Sequence, residues 1–306
     1  MKLLLESGGN RASLSRRSCL SVIAAAAGAV LTTGSRPVRA ERPNYDHIIN
    51  LAGRQRMLSQ RMSKEIMLVA LQYNVGENVR NLGFSSDEFG RVLHGLRYGD
   101  RELALPATAE ESVLQKLSKV EKLWPAFKAL VADAIAAKKV KPSQIESCAE
   151  ANLPLLEAMD DTVKAYESVA SAGHLSGVLA IAINLAGAQR MLTQKASKEF
   201  YLVALDHDAA TNRVRLGQSV ERFERVLKGL LAGDGELRLI AAPTVPIQAQ
   251  LRTVERLWTE FRPMMSKVRD GAPVGSEMIA ETASLNLALL GEMNTAVNMY
   301  EGLKPA

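Results

Sequence analysis

Apolar residues recur along the chain with the period of an α-helix. An α-helix turns by about 100° per residue. At this angle four apolar residues of the first predicted helix form a stripe along one side: Leu51, Leu58, Met62 and Val69. Aromatic residues make up only 5% of the chain, and the alternation of apolar and polar residues typical of strands is almost absent. The pattern therefore predicts an all-α protein.

Turn-forming residues divide the first half of the chain into four helical segments. The stretch "NVGEN" ends the first segment, Gly99 ends the second, and Pro142 precedes the fourth. The predicted helices span residues 45–73, 86–98, 109–138 and 143–168. Ser85 or Ser86 is the predicted N-cap of the second helix. Four helices with short connections favour an up-down antiparallel bundle.

The same pattern occurs a second time. Residues 48–71 and 182–205 are identical at 17 of 24 positions, and matched residues are separated by 134 throughout. Each copy has about 120 residues, which is enough to form a core of its own. The sequence therefore predicts two tandem antiparallel four-helix-bundle modules, at residues 45–170 and 179–304, that arose by internal duplication.

The first forty residues have the features of an export signal. A basic stretch precedes a short apolar run at residues 20–32, and Ala40 is the small residue before Glu41. Arg16 and Arg17 resemble the twin-arginine type of signal, and an ordinary secretory signal is the alternative. Either signal predicts export, cleavage near Ala40–Glu41 and a periplasmic mature protein.

Setting this signal aside changes the charge of the chain. The whole sequence has 38 basic and 33 acidic residues, but residues 1–40 contain six of the bases and one of the acids. The remainder is balanced, so binding to nucleic acid through bulk charge is not expected. No later segment has the 18 or more apolar residues of a membrane span, which predicts a soluble mature protein.

Few residues suggest catalytic chemistry. Cys148 is the only cysteine after the signal, and the four histidines lack the spacing of metal ligands, so neither a disulfide nor a metal site is expected. Glu65 and Glu199 recur in the motif "SKE" and are interpreted as part of a solvated helix face. Asp100 is interpreted as a turn residue. The sequence predicts no enzyme activity and no cofactor.

A second face of the first helix carries an arginine in each copy, and we call it the arginine face. Arg56 lies about 140° from the apolar stripe. Its neighbours on this face are small or polar: Ala52, Gly53, Ser59, Gln60 and Ser63 in the first copy, and Ala186, Gly187, Thr193, Gln194 and Ser197 around Arg190 in the second.

The composition of the arginine face indicates an anion site. A buried arginine needs a counter-ion, and no acidic residue lies within a turn of Arg56 on this face. The guanidinium fork matches planar oxyanions. The residues leave two alternatives open, because Arg56 would also be satisfied by an acid from another helix or by projecting into solvent.

At these residues the sequence resembles a known family of sensor domains. The pattern Asn-x-x-Gly-x-x-Arg-Met-x-Ser-x-Arg is similar to the signature of the PilJ/NarX-like periplasmic domains of nitrate/nitrite sensor kinases and type IV pilus chemoreceptors. The first copy supplies Asn50, Gly53, Arg56, Met57, Ser59 and Arg61. The second supplies Asn184, Gly187, Arg190, Met191, Thr193 and Lys195, so it departs from the pattern at its last two positions.

The resemblance implies a helical bundle that binds its ligand between two first helices, through the motif arginine. Two copies in one chain would then supply both halves of a pseudo-twofold site. The ligand-binding residues implied are Asn50, Gly53, Arg56, Ser59, Asn184, Gly187, Arg190 and Thr193. The expected ligand is a small oxyanion, with nitrate or nitrite favoured.

The resemblance also bears on partners. The chain has neither the membrane helices nor the signalling region of the sensor relatives, so a separate membrane-bound signalling protein is expected to act with it, and a homodimer is compatible with this role. The alternative is a helical adaptor that binds a membrane receptor or a pilus component without any small ligand. Its docking surface would be the same arginine face.

Overall fold

The computed structural model describes residues 43–172 and 177–303, and the predicted export signal lies outside these ranges. Eight α-helices form the regular structure of the described residues, which confirms the all-α prediction. The helices are α1 Tyr45–Ala70, α2 Val75–Tyr98, α3 Glu111–Ala137, α4 Pro142–Ala172, α5 Gly177–Ala204, α6 Ala209–Ala232, α7 Val245–Arg269 and α8 Ser276–Glu301.

Helices α1 to α4 form one four-helix bundle and α5 to α8 form another. In each bundle every helix packs against the next, and the first also packs against the fourth. The predicted fold class, two tandem antiparallel four-helix modules, is thus confirmed. The boundaries 45–170 and 179–304 remain predictions.

The apolar stripe of α1 lies in the core of the first module. Its four residues, Leu51, Leu58, Met62 and Val69, are all buried. Aromatic rings extend the core on the neighbouring helices, since the ring centroid of Trp124 lies 4.2 Å from that of Phe89 and 6.3 Å from that of Phe127. Phe223 and Trp258 repeat this contact in the second module, with centroids 3.9 Å apart. The periodicity therefore identified the core face correctly.

The turn after α2 shows how the sequence ends a helix. Gly99 has a φ of 86°, which favours glycine, and its backbone N–H caps α2 by donating to the carbonyl of Gly95. Asp100 and Leu105 then exchange two backbone hydrogen bonds of 2.9 Å. The Asp100 carboxylate also accepts a hydrogen bond from the backbone N–H of Leu103 at 3.0 Å. Asp100 is therefore the turn residue that the sequence predicted.

The predicted start of the second helix was wrong. Helix α2 begins at Val75 rather than near residue 86, because Asn74 adopts a left-handed conformation with a φ of 42° and reverses the chain in a tight turn. Ser85 and Ser86 are buried in the middle of α2 and do not cap it. Gly83 is accommodated within α2 on an open face, where a Cβ would meet nothing within 4 Å.

Helices α1 and α5 pack against each other, and α4 also contacts α5. The arginine faces of α1 and α5 are buried in this contact, including Ala52, Ser59 and Ser63. The surface that the adaptor alternative assigned to an external partner is therefore covered by the other module of the same chain. From Pro43 onward the chain forms one compact unit.

None of the described helices combines the length and the apolar character needed to cross a membrane.

Candidate functional site

Arg56 reaches from the first module into the second. Its side chain on α1 is almost completely buried, with 2% of the residue exposed. Atom Nη2 donates hydrogen bonds to Asn184 on α5, at 2.7 Å to Oδ1 and 3.2 Å to the backbone oxygen. Atom Nη1 donates to Oδ1 of Asp160 on α4 at 2.5 Å. Arg56 therefore joins three helices at the contact between the modules.

Arg190 makes the reciprocal contacts. It lies on α5, is also 2% exposed, and donates from Nη2 to Asn50 on α1, at 2.8 Å to Oδ1 and 3.4 Å to the backbone oxygen. Its Nη1 donates to Oδ1 of Asn294 on α8 at 3.2 Å. The two halves are related as by a twofold axis, so each predicted arginine meets the predicted asparagine of the other copy.

Two glutamates orient these asparagines. The amide nitrogen of Asn184 donates to Glu167, and that of Asn50 donates to Glu301, so each amide oxygen is turned toward an arginine. His47 lies 2.6 Å from the second oxygen of Glu301. Burial raises the pKa of Glu301, but the hydrogen bonds from His47 and Asn50 outweigh it and hold the pKa below its usual value. Sequence reasoning missed this role, although the two glutamates recur at the repeat spacing of 134.

The motif glycines leave room for both guanidinium groups. A Cβ built on Gly187 would lie 3.4 Å from Nη2 of Arg190 and 3.9 Å from Nη2 of Arg56. A Cβ on Gly53 would lie 3.3 Å from Nη2 of Arg56. Both arginines therefore approach the same glycine of α5, where a larger side chain would displace them.

The two motif hydroxyls lie beside the arginines without contacting their guanidinium groups. Ser59 donates from Oγ to the backbone oxygen of Arg56, and Thr193 donates from Oγ1 to that of Arg190, both at 2.8 Å. Each hydroxyl is thus engaged with the helix backbone one turn earlier. Of the predicted ligand residues, the asparagines, glycines and arginines come together. The hydroxyls of Ser59 and Thr193 bond to the helix backbone instead of joining them.

The two arginines differ in the negative charge that they contact. Among the described residues, Asp160 is the only carboxylate within ion-pair distance of either arginine, and it pairs with Arg56. The residue that matches Asp160 in the second copy is the neutral Asn294. The Nε atoms of both arginines are buried without a hydrogen-bond partner. The alternative of an acid from another helix therefore holds for Arg56 but not for Arg190.

The pKa values of the site reflect this imbalance. Burial, followed by the positive charges of Arg54 and Arg56, lowers the pKa of Arg190 to about 9. Burial raises the pKa of Asp160, but Arg56 and Lys164 outweigh it and hold the pKa below its usual value. Arg190 is still charged at neutral pH, so the site favours an anion.

A cleft gives solvent access to Arg56. It has a volume of about 350 Å³ and lies between α4, α5 and α6. Its charged and amide groups come from three cations, three carboxylates and one amide: Arg56, Lys164, Arg222, Glu157, Asp160, Asp161 and Asn184. An ion that entered this cleft would meet Asp160 and the guanidinium of Arg56.

A second polar cluster, which we call the lysine network, lies farther along α1 and α5. Lys64 donates to Oδ1 of Asn286 on α8 at 3.1 Å, and Lys198 donates to Oδ1 of Asn152 on α4 at 2.9 Å. Each lysine thus crosses to the last helix of the other module. Lys198 also donates to Oε1 of Gln60 at 3.1 Å. Burial lowers the pKa of both lysines to about 8.

The lysine network corrects the interpretation of the "SKE" motifs. Glu65 and Glu199 are buried, not part of a solvated face. Glu65 accepts a hydrogen bond from Arg61 at 2.8 Å, and Glu199 accepts one from Ser219 at 2.7 Å. The prediction failed because other helices cover these glutamates, as the contact of Glu199 with Ser219 of α6 shows, and a pattern within one helix cannot report this.

Within the ranges that the structure describes, no group of three or more histidine, cysteine, aspartate or glutamate side chains is placed to hold a metal ion. The single cysteine of these ranges, Cys148, is buried and free, and burial raises the pKa of its thiol to about 11.

The described residues form two four-helix bundles that bury a pair of arginines between their first helices. The chain belongs to the PilJ family, the N-terminal domain of type IV pili methyl-accepting chemotaxis transducers, which it matches at residues 42–147 and 177–280. Both copies are therefore PilJ-type domains, as the sequence motif predicted. A chain of this receptor family is a sensor domain and not an enzyme.

Similar proteins come from Pseudomonas aeruginosa. A segment of 117 residues is 31% identical to the methyl-accepting chemotaxis protein McpN, and it covers 38% of this chain. The match spans only 21% of that relative's length. Among solved structures, the ligand-binding domain of the nitrate receptor McpN is 30% identical, with 39% of this chain and 92% of that chain covered and a TM-score of 0.34.

Proposed function

We propose that this chain is a periplasmic binding or sensory protein that holds one small oxyanion between its two modules. The observation that carries the proposal is the pair of buried arginines, Arg56 and Arg190, of which only Arg56 has a carboxylate, Asp160, within ion-pair distance. A buried charge without a counter-ion is costly, so a bound anion would balance the site.

The geometry suits a small, planar anion. The Nη2 atoms of Arg56 and Arg190 both lie close to Gly187, where the absence of a side chain leaves space. Guanidinium groups bind planar oxyanions through paired hydrogen bonds, and burial strengthens such bonds because water does not compete for them. Asn50 and Asn184 hold the two arginines in position through their amide oxygens.

The duplication supports a stoichiometry of one ion per chain. Arg56 comes from α1 and Arg190 from α5, and each contacts the asparagine of the other copy. A single chain therefore supplies both halves of the pseudo-twofold site. Ser59 and Thr193 belong to the proposed site without contacting the anion. Each donates its hydroxyl to the backbone oxygen of its arginine and so stabilises the helix next to it.

Nitrate or nitrite is the favoured ligand in this proposal. The motif that contains Asn50, Gly53 and Arg56 resembles that of nitrate/nitrite sensor domains, and the McpN domain to which this chain is 30% identical belongs to a nitrate receptor. We also propose that the protein is exported through its N-terminal signal and acts with a membrane-bound signalling protein. Self-association into a homodimer is compatible with this role.

Isothermal titration calorimetry tests the proposal. Purified protein from Pro43 onward, titrated with nitrate, nitrite and a chloride control at constant ionic strength, should give one saturable event at one ion per chain. The variants Arg56→Ala and Arg190→Ala should each abolish it. Arg91→Ala is the matched control, because Arg91 is exposed and pairs with Asp100 and Glu102, neither of which contacts Arg56 or Arg190. Retained affinity in both site variants, or no heat with any ion, would refute the proposal.

A further inference from the structure

The two halves of the arginine site differ at one charge. Asp160 on α4 and Asn294 on α8 occupy matching positions of the repeat, separated by 134 residues, and both accept a hydrogen bond from Nη1 of their arginine. The first is a carboxylate at 2.5 Å and the second a neutral amide at 3.2 Å. The chain thus places a negative charge on Arg56 and none on Arg190.

Asp160 also lies between Arg56 and solvent. Its side chain is 32% exposed, whereas that of Arg56 is 3% exposed, and both line the cleft between α4, α5 and α6. Its second oxygen, Oδ2, lies 2.6 Å from Nζ of Lys164 one helical turn later. An anion that approaches Arg56 through the cleft therefore meets the Asp160 carboxylate first.

We propose that Asp160 is a built-in competitor for the anion: its carboxylate occupies Arg56 in the empty protein, and the bound oxyanion takes its place. This inference rests on the proposed function, because it assigns the residue that sets the affinity of that same site. A carboxylate and a small oxyanion such as nitrate are both planar and use the same guanidinium fork. The two therefore exclude each other at Arg56.

Lys164 makes the exchange feasible. When the Asp160 carboxylate leaves Arg56 it keeps its ion pair with Lys164, so it is not left as an unpaired charge. Arg190 needs no such exchange, since Asn294 is neutral. The Arg190 half thus has no carboxylate for the anion to displace, whereas at the Arg56 half Asp160 must move first.

The repeat itself supplies the variants that test this inference. Asp160→Asn gives the first half the residue that the second half already has opposite its arginine, so the substitution is compatible with the fold. We expect it to tighten nitrate binding on the order of tenfold, because one competing charge is removed from a partly exposed position. Asn294→Asp places a carboxylate on Arg190 and should weaken binding by a similar factor.

Asp161→Asn is the matched control. Asp161 lines the same cleft and carries the same charge, but it pairs with Lys116 and not with Arg56. Calorimetry with sodium nitrate at constant ionic strength should therefore give Asp161→Asn an affinity close to that of the parent. Equal changes in Asp160→Asn and Asp161→Asn, or weaker binding by Asp160→Asn, would overturn the inference while leaving the proposed function intact.

A thermal-unfolding measurement further separates the role of Asp160 from the proposed function. Without anion, Asp160→Asn should melt at a lower temperature than the parent, because Arg56 loses its carboxylate, and nitrate should raise its melting temperature by more than it raises the parent's. If neither protein binds any ion, the proposed function fails and the inference fails with it.

Discussion

At the scale of single residues, Arg190 shows the conflict between stability and binding. Arg190 is buried, and its hydrogen-bond acceptors are amide and carbonyl oxygens. Among the described residues no carboxylate lies within ion-pair distance of it, and its Nε has no hydrogen-bond partner. An apolar side chain of similar length would fill the same space without the cost of a desolvated charge. A residue retained at such a cost is typical of a binding site.

This conflict leads to a prediction for Arg190→Met. In buffer without nitrate, we expect the free energy of unfolding to stay the same or to rise by about 1 kcal/mol or more, because an unpaired buried charge is removed. Nitrate binding should be lost at the same time. Urea denaturation followed by circular dichroism, with calorimetry on the same sample, measures both. A large loss of stability would mean that Arg190 is a structural residue.

Gly187 gives a second prediction at this scale. Alanine favours a helix over glycine by about 1 kcal/mol, so Gly187→Ala should not lower the free energy of unfolding. Its Cβ would lie 3.4 Å from Nη2 of Arg190 and 3.9 Å from Nη2 of Arg56, where it would fill the space proposed for the anion, so nitrate binding should weaken several-fold. Gly291→Ala is the control, since a Cβ there meets nothing within 4 Å. Unchanged affinity in Gly187→Ala would show that the anion lies elsewhere.

At the scale of helices, α1 and α5 each serve three purposes. One side packs in the core of its own module, a second carries the arginine, and farther along the buried lysine crosses to the other module. Sequence periodicity located the first two sides correctly. It misassigned Lys64 and Glu65 to solvent, because a charged pair on one helix looks the same whether or not another helix covers it.

The lysine network predicts a dependence of stability on pH. Lys64 and Lys198 have an ordinary pKa near 10.5 and a pKa of about 8 in the folded protein, so the unfolded state binds more protons between these values. The two buried charges therefore destabilise the folded protein to their full extent below pH 8. This destabilisation is lost as the pH rises toward 10.5. The free energy of unfolding of the parent should rise over this range relative to the double variant Lys64→Met/Lys198→Met.

Urea denaturation at several values between pH 7 and pH 10 measures this difference. The exposed Lys228→Met is the control for loss of a lysine charge at the surface. If the difference between parent and double variant stays constant with pH, the lysines are not desolvated as the structure indicates.

Helix α2 shows where local signals fail at this scale. Gly76, Gly83 and several polar residues precede its apolar part, and together they resemble a loop. The helix forms there because its inward side needs only Asn78 and Leu82 to pack against the bundle, whereas the glycines face outward or toward a flexible arginine. Tertiary packing thus overrides weak helix propensity.

At the scale of the whole molecule, the duplication joins two halves of one site in a single chain. The arginine face of each module is covered by the other module, so neither module is complete alone. A first module produced as residues 43–172 would expose Ala52, Gly53 and Ser59 to water. Pairing of two such copies through α1 would bury the face again and restore a twofold arrangement.

We therefore expect the fragment 43–172 to self-associate. Sedimentation equilibrium should show a concentration-dependent dimer, and a bulky substitution on the arginine face, Gly53→Leu, should weaken it. The same substitution at Gly83, which lies on an open helix face, should leave the dimer unchanged. A stable monomer would mean that the contact between the modules depends on the covalent link.

The sequence by itself determined the features that repeat locally. Helical periodicity fixed the fold class and the core side of α1, the spacing of 134 residues revealed the duplication, and the Asn-Gly-Arg motif identified the family. Each of these signals lies within one helix or compares one stretch with another. None of them requires knowing which helices touch.

Only the tertiary structure decided which side chains meet. Arg56 contacts Asp160 and Asn184, which are 104 and 128 residues away along the chain, and nothing in the local pattern indicates such distant partners. The burial of Lys64 and the unequal charges of the two half-sites follow from the same packing. Periodicity reports which side of a helix is buried, whereas the counter-ion of a buried charge depends on how separate helices are arranged in space.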